Sequence, residues 1–365
     1  MAFSFGFSGD DIDIDDVDIN EVPEVIVQHG TDSLPELVQA SKHDMNEWLS
    51  VLPSQIFFNR LVLNQDAPVV IARREIYDIR TQLMAEDSVD HDNAELIAGI
   101  EEGDLKPNFY EGGFKTWECA LDLAKLVTGE STFIESLDDP QTNVHIIELG
   151  AGTAVPSLAI FAHLLKTTTG TSQCKTHFTF ADYNSSVLRL VTLPNLLLTW
   201  WNSRQYPVPS AVDEQAPQVR QEEEELDITP ELLNEFQSDI AQRGISIDLI
   251  SGAWSPEFVD LAFSTRDSDY KTLLLASETI YSPSSLVAFS ETISTLLYRS
   301  STASIKARAL VAAKKVYFGV GGGVDEFLAV LKNSCEHELE VLQRVDVQSE
   351  GVGRVVLEIT PATVI

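Results

Sequence analysis

Basic residues are scarce in this chain of 365 residues: 24 lysines and arginines stand against 57 aspartates and glutamates, for a formal net charge of −33. So few cations cannot gather a phosphate backbone, which argues against a nucleic-acid ligand and makes a basic protein the better electrostatic match. Cysteine is scarcer still. Cys119, Cys174 and Cys335 are too few and too far apart for a disulfide framework or a thiolate metal site, so a reducing compartment is expected. The seven histidines are scattered without ligand spacing, and no metal is expected. Long apolar runs are missing: none nears the roughly 18 residues of a membrane span. The N-terminus lacks the basic and apolar regions of a secretory signal. The expectation is a protein of cytoplasm and nucleus, monomeric by default, with no membrane contact.

What is present is a globular chain with appendages, 44% hydrophobic and long enough for about two domains. The block DDIDIDDVDI, Asp10 to Ile19, repels itself and has few large apolar anchors, so residues 1–48 read as an acidic, largely disordered segment. Residues 49–107 turn apolar, and LPSQIFFNRLVL followed by APVVIARREIYDIR suggests two short strands with a helical turn that dock on a main domain at 108–365. There strands and helices alternate. Strands are expected at His145 to Leu149, Phe178 to Ala181, Ile245 to Ile250, Thr272 to Ala276 and Ala309 to Lys314, with two more, Leu339 to Val345 and Arg354 to Ile359, at the end. Helices fall between most of them. This alternation implies an α/β fold with a mostly parallel sheet, helices on both faces, and a ligand at the carboxyl ends of the strands. An insertion at 205–244, with PVPS, QAPQ and QEEEELD, reads as a mobile, dispensable loop carrying one short helix at Pro230 to Ile240.

The stretch HIIELGAGTAVPSLAI, His145 to Ile160, reads as strand, glycine turn and helix. A phosphate-binding loop would need a lysine after the second glycine, and none follows. A dinucleotide turn wants a third glycine where Val155 stands. Glu148, Gly150 and Gly152, with a second acid, Asp182, at the end of the next strand, instead suit S-adenosylmethionine, whose ammonium and sulfonium are both positive and whose ribose hydroxyls an acid can accept.

NFYEGGFKTWECALDL, IELGAG, ADYN, GAWSPEF, SETIY and KKVYFGVGGGVDEF, in this order and with the short N-terminal FSFGF, resemble the seven-strand methyltransferases that methylate histidine in proteins. The resemblance covers about Asn108 to Ile359. It implies a Rossmann-like sheet with an antiparallel terminal strand, S-adenosylmethionine as cofactor, and as client a basic large-subunit ribosomal protein, the L-three protein. It assigns Thr116, Trp117, Glu118, Cys119 and Ala120 to the wall of the cofactor's methionine end, and Gly150 and Gly152 to close backbone approach. Asp182, Tyr183 and Asn184 would read ribose and adenine, Gly252, Ala253 and Trp254 would pack the adenine, and Ser277 would line the mouth. The chain departs from many relatives at Ala151, where cysteine is common, and at Ala253, where an acid is common.

Imidazole, with a pKa near 6.5, is about three-quarters neutral at pH 7, whereas roughly one lysine amine in a few thousand is free. A histidine acceptor therefore needs less a strong base than a group that fixes its tautomer. Glu278, with Tyr281 as an aromatic or hydroxyl wall, is the candidate. Plainer readings stand beside these: Trp117 and Trp254 as core aromatics, Asp182 as an acid favoured at a helix N-terminus, Glu278 as a cap on the helix starting near Pro283, FGVGGG as a connection, Cys119 as a packed residue, and Glu222 to Glu225 as solvated surface. Protein-lysine methylation, suggested by the acid-x-x-Tyr spacing of Glu278 to Tyr281, and a non-catalytic acidic chaperone for a ribosomal protein are the competing functions.

Overall fold

The computed structural model describes residues 38–64, 69–86, 91–101, 104, 112–130, 142–167, 175–205, 224–265, 270–302, 307–318, 321–334, 338–348 and 351–362. The acidic block, FSFGF, Cys174 and Cys335 lie outside them. From Leu37 onward the chain is one compact unit.

Its spine is an eight-stranded sheet in the order β1 (Ser41–His43), β7 (Ile245–Ser251), β5 (Thr176–Asp182), β4 (Val144–Leu149), β8 (Lys271–Ser277), β9 (Arg308–Lys314), β11 (Arg354–Pro361), β10 (Leu339–Val347). The five strands from β7 to β9 run parallel, and β11 lies antiparallel between β9 and β10. Every residue of β4 is buried, as a strand covered on both faces requires. Its side chains point alternately to two cores: Ile146 joins Phe161, Phe178 and Leu196 on one face, and Ile147 and Leu149 join Phe258, Phe289 and Phe327 on the other. The order of connection reverses at β4, so the crevice beyond its carboxyl end is the place for a ligand.

The expected main-domain strands and helices are all present with ends shifted by up to four residues, the largest shift being in the helix expected at Ser185 to Trp201, which a π-helical turn divides and which runs on to Gln205. Two parts of the chain were read wrongly. Ser41–His43 pairs with β7, with His43 Nε2 2.7 Å from Ser251 Oγ, and helix α1 (Met45–Ser50) buries Leu49 in the main core. Residues from Val38 onward therefore belong to the folded body rather than to a disordered segment. The second concerns the insertion. β2 (Gln55–Leu63) and β3 (Val69–Arg74) are the two strands expected there and pair as an antiparallel hairpin, but Glu224–Asp227 adds a third strand, β6, to β2, and the helix Pro230–Gln242 sinks Phe236 and Ile240 into the main core. Its described part is integral to the fold, and Glu224 is no solvated acid: it ion-pairs with Arg60, whose side chain is 6% exposed.

Candidate active site

After β4 the backbone enters the left-handed region at Gly150 (φ 66°), Gly152 (φ 51°) and Ala154 (φ 58°). Glycine takes this conformation freely, and here it is also the only side chain with room. A Cβ on Gly150 would stand 2.7 Å from Thr279 Cγ2, and one on Gly152 would stand 3.1 Å from Gly113 Cα. The turn is held from several sides. Thr192 Oγ1 donates to the Gly152 carbonyl at 2.7 Å, and Asn195 Nδ2 to the Thr153 carbonyl at 3.1 Å. Thr192 closes a π-helical turn, Leu188–Thr192, which leads into the helix Leu193–Gln205. Such turns interrupt helices at functional sites, and this one aims a hydroxyl at the glycine loop.

Asp182 ends β5 beside the turn, 6% exposed. Its Oδ2 accepts from the Gly152 N–H at 3.0 Å and its Oδ1 from the Asn184 N–H at 3.1 Å. It thus serves the start of the next helix, as the plainer reading held, and also fastens the glycine turn. A carboxylate has about four acceptor positions, and ribose hydroxyls are among the donors that such a group takes. Asn184 takes the N-cap position without capping, and its Nδ2 is buried with no hydrogen-bond partner. Tyr183 beside it is half-buried. Glu148 lies under the turn, 1% exposed, accepting from the Ser157 N–H at 3.0 Å. Burial, opposed by the Ser157 hydrogen bonds and aided by the charge of Asp182, pushes its carboxyl up to about 8.

Opposite the turn, the segment after β8 brings in Glu278. It is 6% exposed and adopts φ 58°, a conformation that costs a side chain on the order of 1–2 kcal/mol and persists only where the surroundings impose it. The helix that follows begins at Leu286 with Ser285 as its N-cap, so Glu278 does not cap it. Instead Glu278 Oε1 accepts from the Cys119 N–H at 3.3 Å, in the first turn of α4 (Glu118–Gly129), and lies 3.8 Å from Lys314 Nζ. The Cys119 thiol and the Tyr317 hydroxyl also face this carboxylate. Burial first, and then the charge of Glu278, pushes both groups' pKa values up, so Cys119 is a packed thiol and no nucleophile. Three rings cluster nearby. Tyr281 lies 6.3 Å from Trp117 and 6.3 Å from Tyr317, and Lys314 Nζ sits 5.8 Å from the Trp117 ring centre.

The structure therefore brings Thr116 to Ala120, Glu148, Gly150, Gly152, Asp182 to Asn184, Ser277, Glu278 and Tyr281 together at the carboxyl ends of β4, β5 and β8. The second glycine motif sits differently. Gly252 donates to the Asp182 and Tyr183 carbonyls, but its absent Cβ would meet the Gln39 carbonyl at 2.6 Å, and Ala253 N–H donates to Val38. Trp254 packs edge-on to Phe258 and Phe289, as a core aromatic does. Sequence reasoning missed Asp104. This wholly buried carboxylate accepts from the N–H groups of Gly113, Phe114 and Lys115 and from Trp117 Nε1, and so sets the loop that carries Trp117. Lys314 and Tyr317 were visible only inside the quoted KKVYFGVGGG, and Arg73, which donates to Thr116 Oγ1 at 2.7 Å, gave no local signal. Among the described residues no group of His, Cys, Asp or Glu could hold a metal ion, and no helix is long and apolar enough to cross a membrane.

A parallel sheet with an inserted antiparallel strand, a glycine turn at its switch point and acids closing the first two strands define the class: a seven-strand methyltransferase that uses S-adenosylmethionine. The residues suit that cofactor, since the turn leaves a cradle that side chains would fill and Asn184 holds a buried, unpaired donor beside it. The chain is 32% identical to Histidine protein methyltransferase 1 of Saccharomyces cerevisiae, over 93% of this chain and 92% of that one. It is 34% identical to the protein of the same name in Schizosaccharomyces pombe, over 97% and 91%. It belongs to the histidine protein methyltransferase family. The rat homologue matches at 30% over 70% of this chain and 59% of its own length. No protein-family model matches the chain. Solved structures resemble it loosely, among them the magnesium protoporphyrin IX methyltransferase of Synechocystis with bound SAM, with TM-score 0.31 and 8% identity over 78% of this chain and 91% of that one.

Proposed function

We propose that the protein transfers a methyl group from S-adenosylmethionine to an imidazole nitrogen of a basic client, a large-subunit ribosomal protein, with Glu278 orienting the acceptor ring. A histidine acceptor follows from family membership. The ribosomal client rests on the motif resemblance and on the charge of −33, and nucleus and cytoplasm, where such a client is made and assembled, belong to the same proposal.

The observation that carries the role of Glu278 is its enforced left-handed backbone just past the end of β8, which holds a buried carboxylate beside Cys119 and Lys314, next to the cluster of Trp117, Tyr281 and Tyr317. When bound, the cofactor supplies a methyl group on a positively charged sulfur. The chain must then hold one imidazole nitrogen, lone pair outward, in line with that methyl and keep water away. A carboxylate accepting the N–H of the other ring nitrogen selects the required tautomer, and it stabilises the positive charge that develops on the ring. Lys314, 3.8 Å away, keeps Glu278 from standing as an isolated buried charge.

The test is to incubate the purified chain with methyl-labelled S-adenosylmethionine and ribosomal proteins from cells lacking it, followed by amino-acid analysis of the labelled band. Methylhistidine in one large-subunit protein, lost in Asp182→Ala, is the expected result. Methyllysine would transfer the assignment to the sibling activity, and client binding without label would favour the chaperone.

A further inference from the structure

One arginine linked by hydrogen bonds to the glycine turn has no anion in contact. Ten of the eleven arginines among the described residues, Arg73 being the eleventh, have a carboxylate within ion-pair distance, including Arg74 with Asp78 and Arg60 with Glu224. Arg73 spends its hydrogen bonds on neutral oxygens: Nη1 on Thr116 Oγ1 at 2.7 Å and Nη2 on Asn59 Oδ1 at 3.1 Å. Its Nε is buried with no hydrogen-bond partner. The nearest acid, Glu75, takes a hydrogen bond from Asn59 and acts on Arg73 only through its field, which does not offset the burial that lowers the guanidinium's pKa. In a chain with more than twice as many acids as bases, leaving an arginine so is costly unless an anion completes it.

Its position says which anion. Thr116 Oγ1, which accepts from Arg73, donates to Thr153 Oγ1 at 3.0 Å, and Thr153 directly follows Gly152. The guanidinium is thus one hydroxyl away from the turn, on the side where Thr116 and Trp117 stand. The other cations there are engaged, Lys314 with Glu118 and Glu278 and Lys115 with the Ile100 carbonyl. We infer that Arg73, delivered by the N-terminal hairpin, binds the α-carboxylate of the cofactor's amino-acid portion. The inference rests on the S-adenosylmethionine reading of the site. A planar guanidinium with a free N–H is matched to a carboxylate, and such charge-assisted bonds are among the strongest a site can offer. The hairpin then does more than dock: it completes the cofactor site from outside the methyltransferase core.

Two ligands separate this from a structural role. S-adenosylhomocysteine carries the amino-acid portion, and 5′-methylthioadenosine has the same adenosine and thioether without it. Calorimetric titration of the full chain should show Arg73→Met weakening S-adenosylhomocysteine about 10- to 100-fold, with Arg73→Lys in between, while methylthioadenosine stays within about twofold of wild type. Equal weakening of both ligands would mean that Arg73 only holds the hairpin, and unchanged S-adenosylhomocysteine binding would mean that it touches nothing there. Either result overturns the inference alone. A wild-type chain that binds neither ligand would overturn it together with the cofactor reading beneath it.

Discussion

Two carboxylates in this crevice act in opposite ways, and each gives a prediction. Glu278 is held in an unfavourable backbone conformation where three rings and Lys314 converge, which is the mark of a group placed for work. Glu278→Gln keeps the shape but cannot carry the charge that a developing imidazolium needs. Single-turnover methyl transfer should fall about 10²- to 10³-fold with S-adenosylhomocysteine affinity little changed; a loss confined to cofactor binding would move Glu278 to the cofactor wall. Glu148 serves from beneath. With its pKa raised from about 4.5 to about 8, the native chain keeps a proton that the unfolded chain releases, so stability is lost as pH rises through that window, by up to 4–5 kcal/mol as an order of magnitude. Glu148→Gln removes this dependence. Its melting temperature without cofactor should gain on wild type steadily between pH 5 and 8, and a constant difference across that range would mean that Glu148 is ionised throughout.

Elements were legible where local pattern and tertiary role agree. β4, β5, β8 and β9 are apolar runs because both faces are covered, and their glycine and acid punctuation marks the switch point. β6 was illegible. EELD has the composition of a solvated loop and forms a strand only because β2 offers an edge and Arg60 a buried cation. β1 failed for the same reason: SKH is three polar residues that β7 recruits. Asp104 gathers donors nine to thirteen residues away, a separation that no helix or strand period encodes. The hairpin sheet makes its own prediction. Glu224→Ala would take from the buried Arg60 guanidinium the carboxylate that holds it through both oxygens, and urea unfolding should show a loss of about 2–4 kcal/mol. A loss below about 1 kcal/mol would mean that β6 is held by its backbone pairing alone.

At the scale of the molecule, internal ion pairing and net charge belong to one argument. The described bases are largely consumed within the fold: Arg308 and Arg344 share Glu130 and Glu358, Arg354 takes Asp122, and Lys42 takes Asp248, whose pKa stays low because the approach of His177 and the hydrogen bonds from Lys42 and Thr265 outweigh its burial. The excess of acids over bases makes the net field negative, which would draw the basic client proposed above toward the protein. The negative charge was legible in composition alone, whereas the arrangement of the site residues was not. Long-range attraction of this kind acts on encounter rather than on the methyl-transfer step, and it fades when the Debye length shrinks from about 14 Å toward 7 Å, as between roughly 50 and 200 mM salt. The KM for the client should therefore rise several-fold across that range at constant kcat. A short peptide bearing the acceptor histidine but few bases should show almost no change. Equal salt sensitivity for peptide and whole client would place the effect inside the crevice, and salt-independent kinetics for both would leave the charge of −33 without a role in recognition.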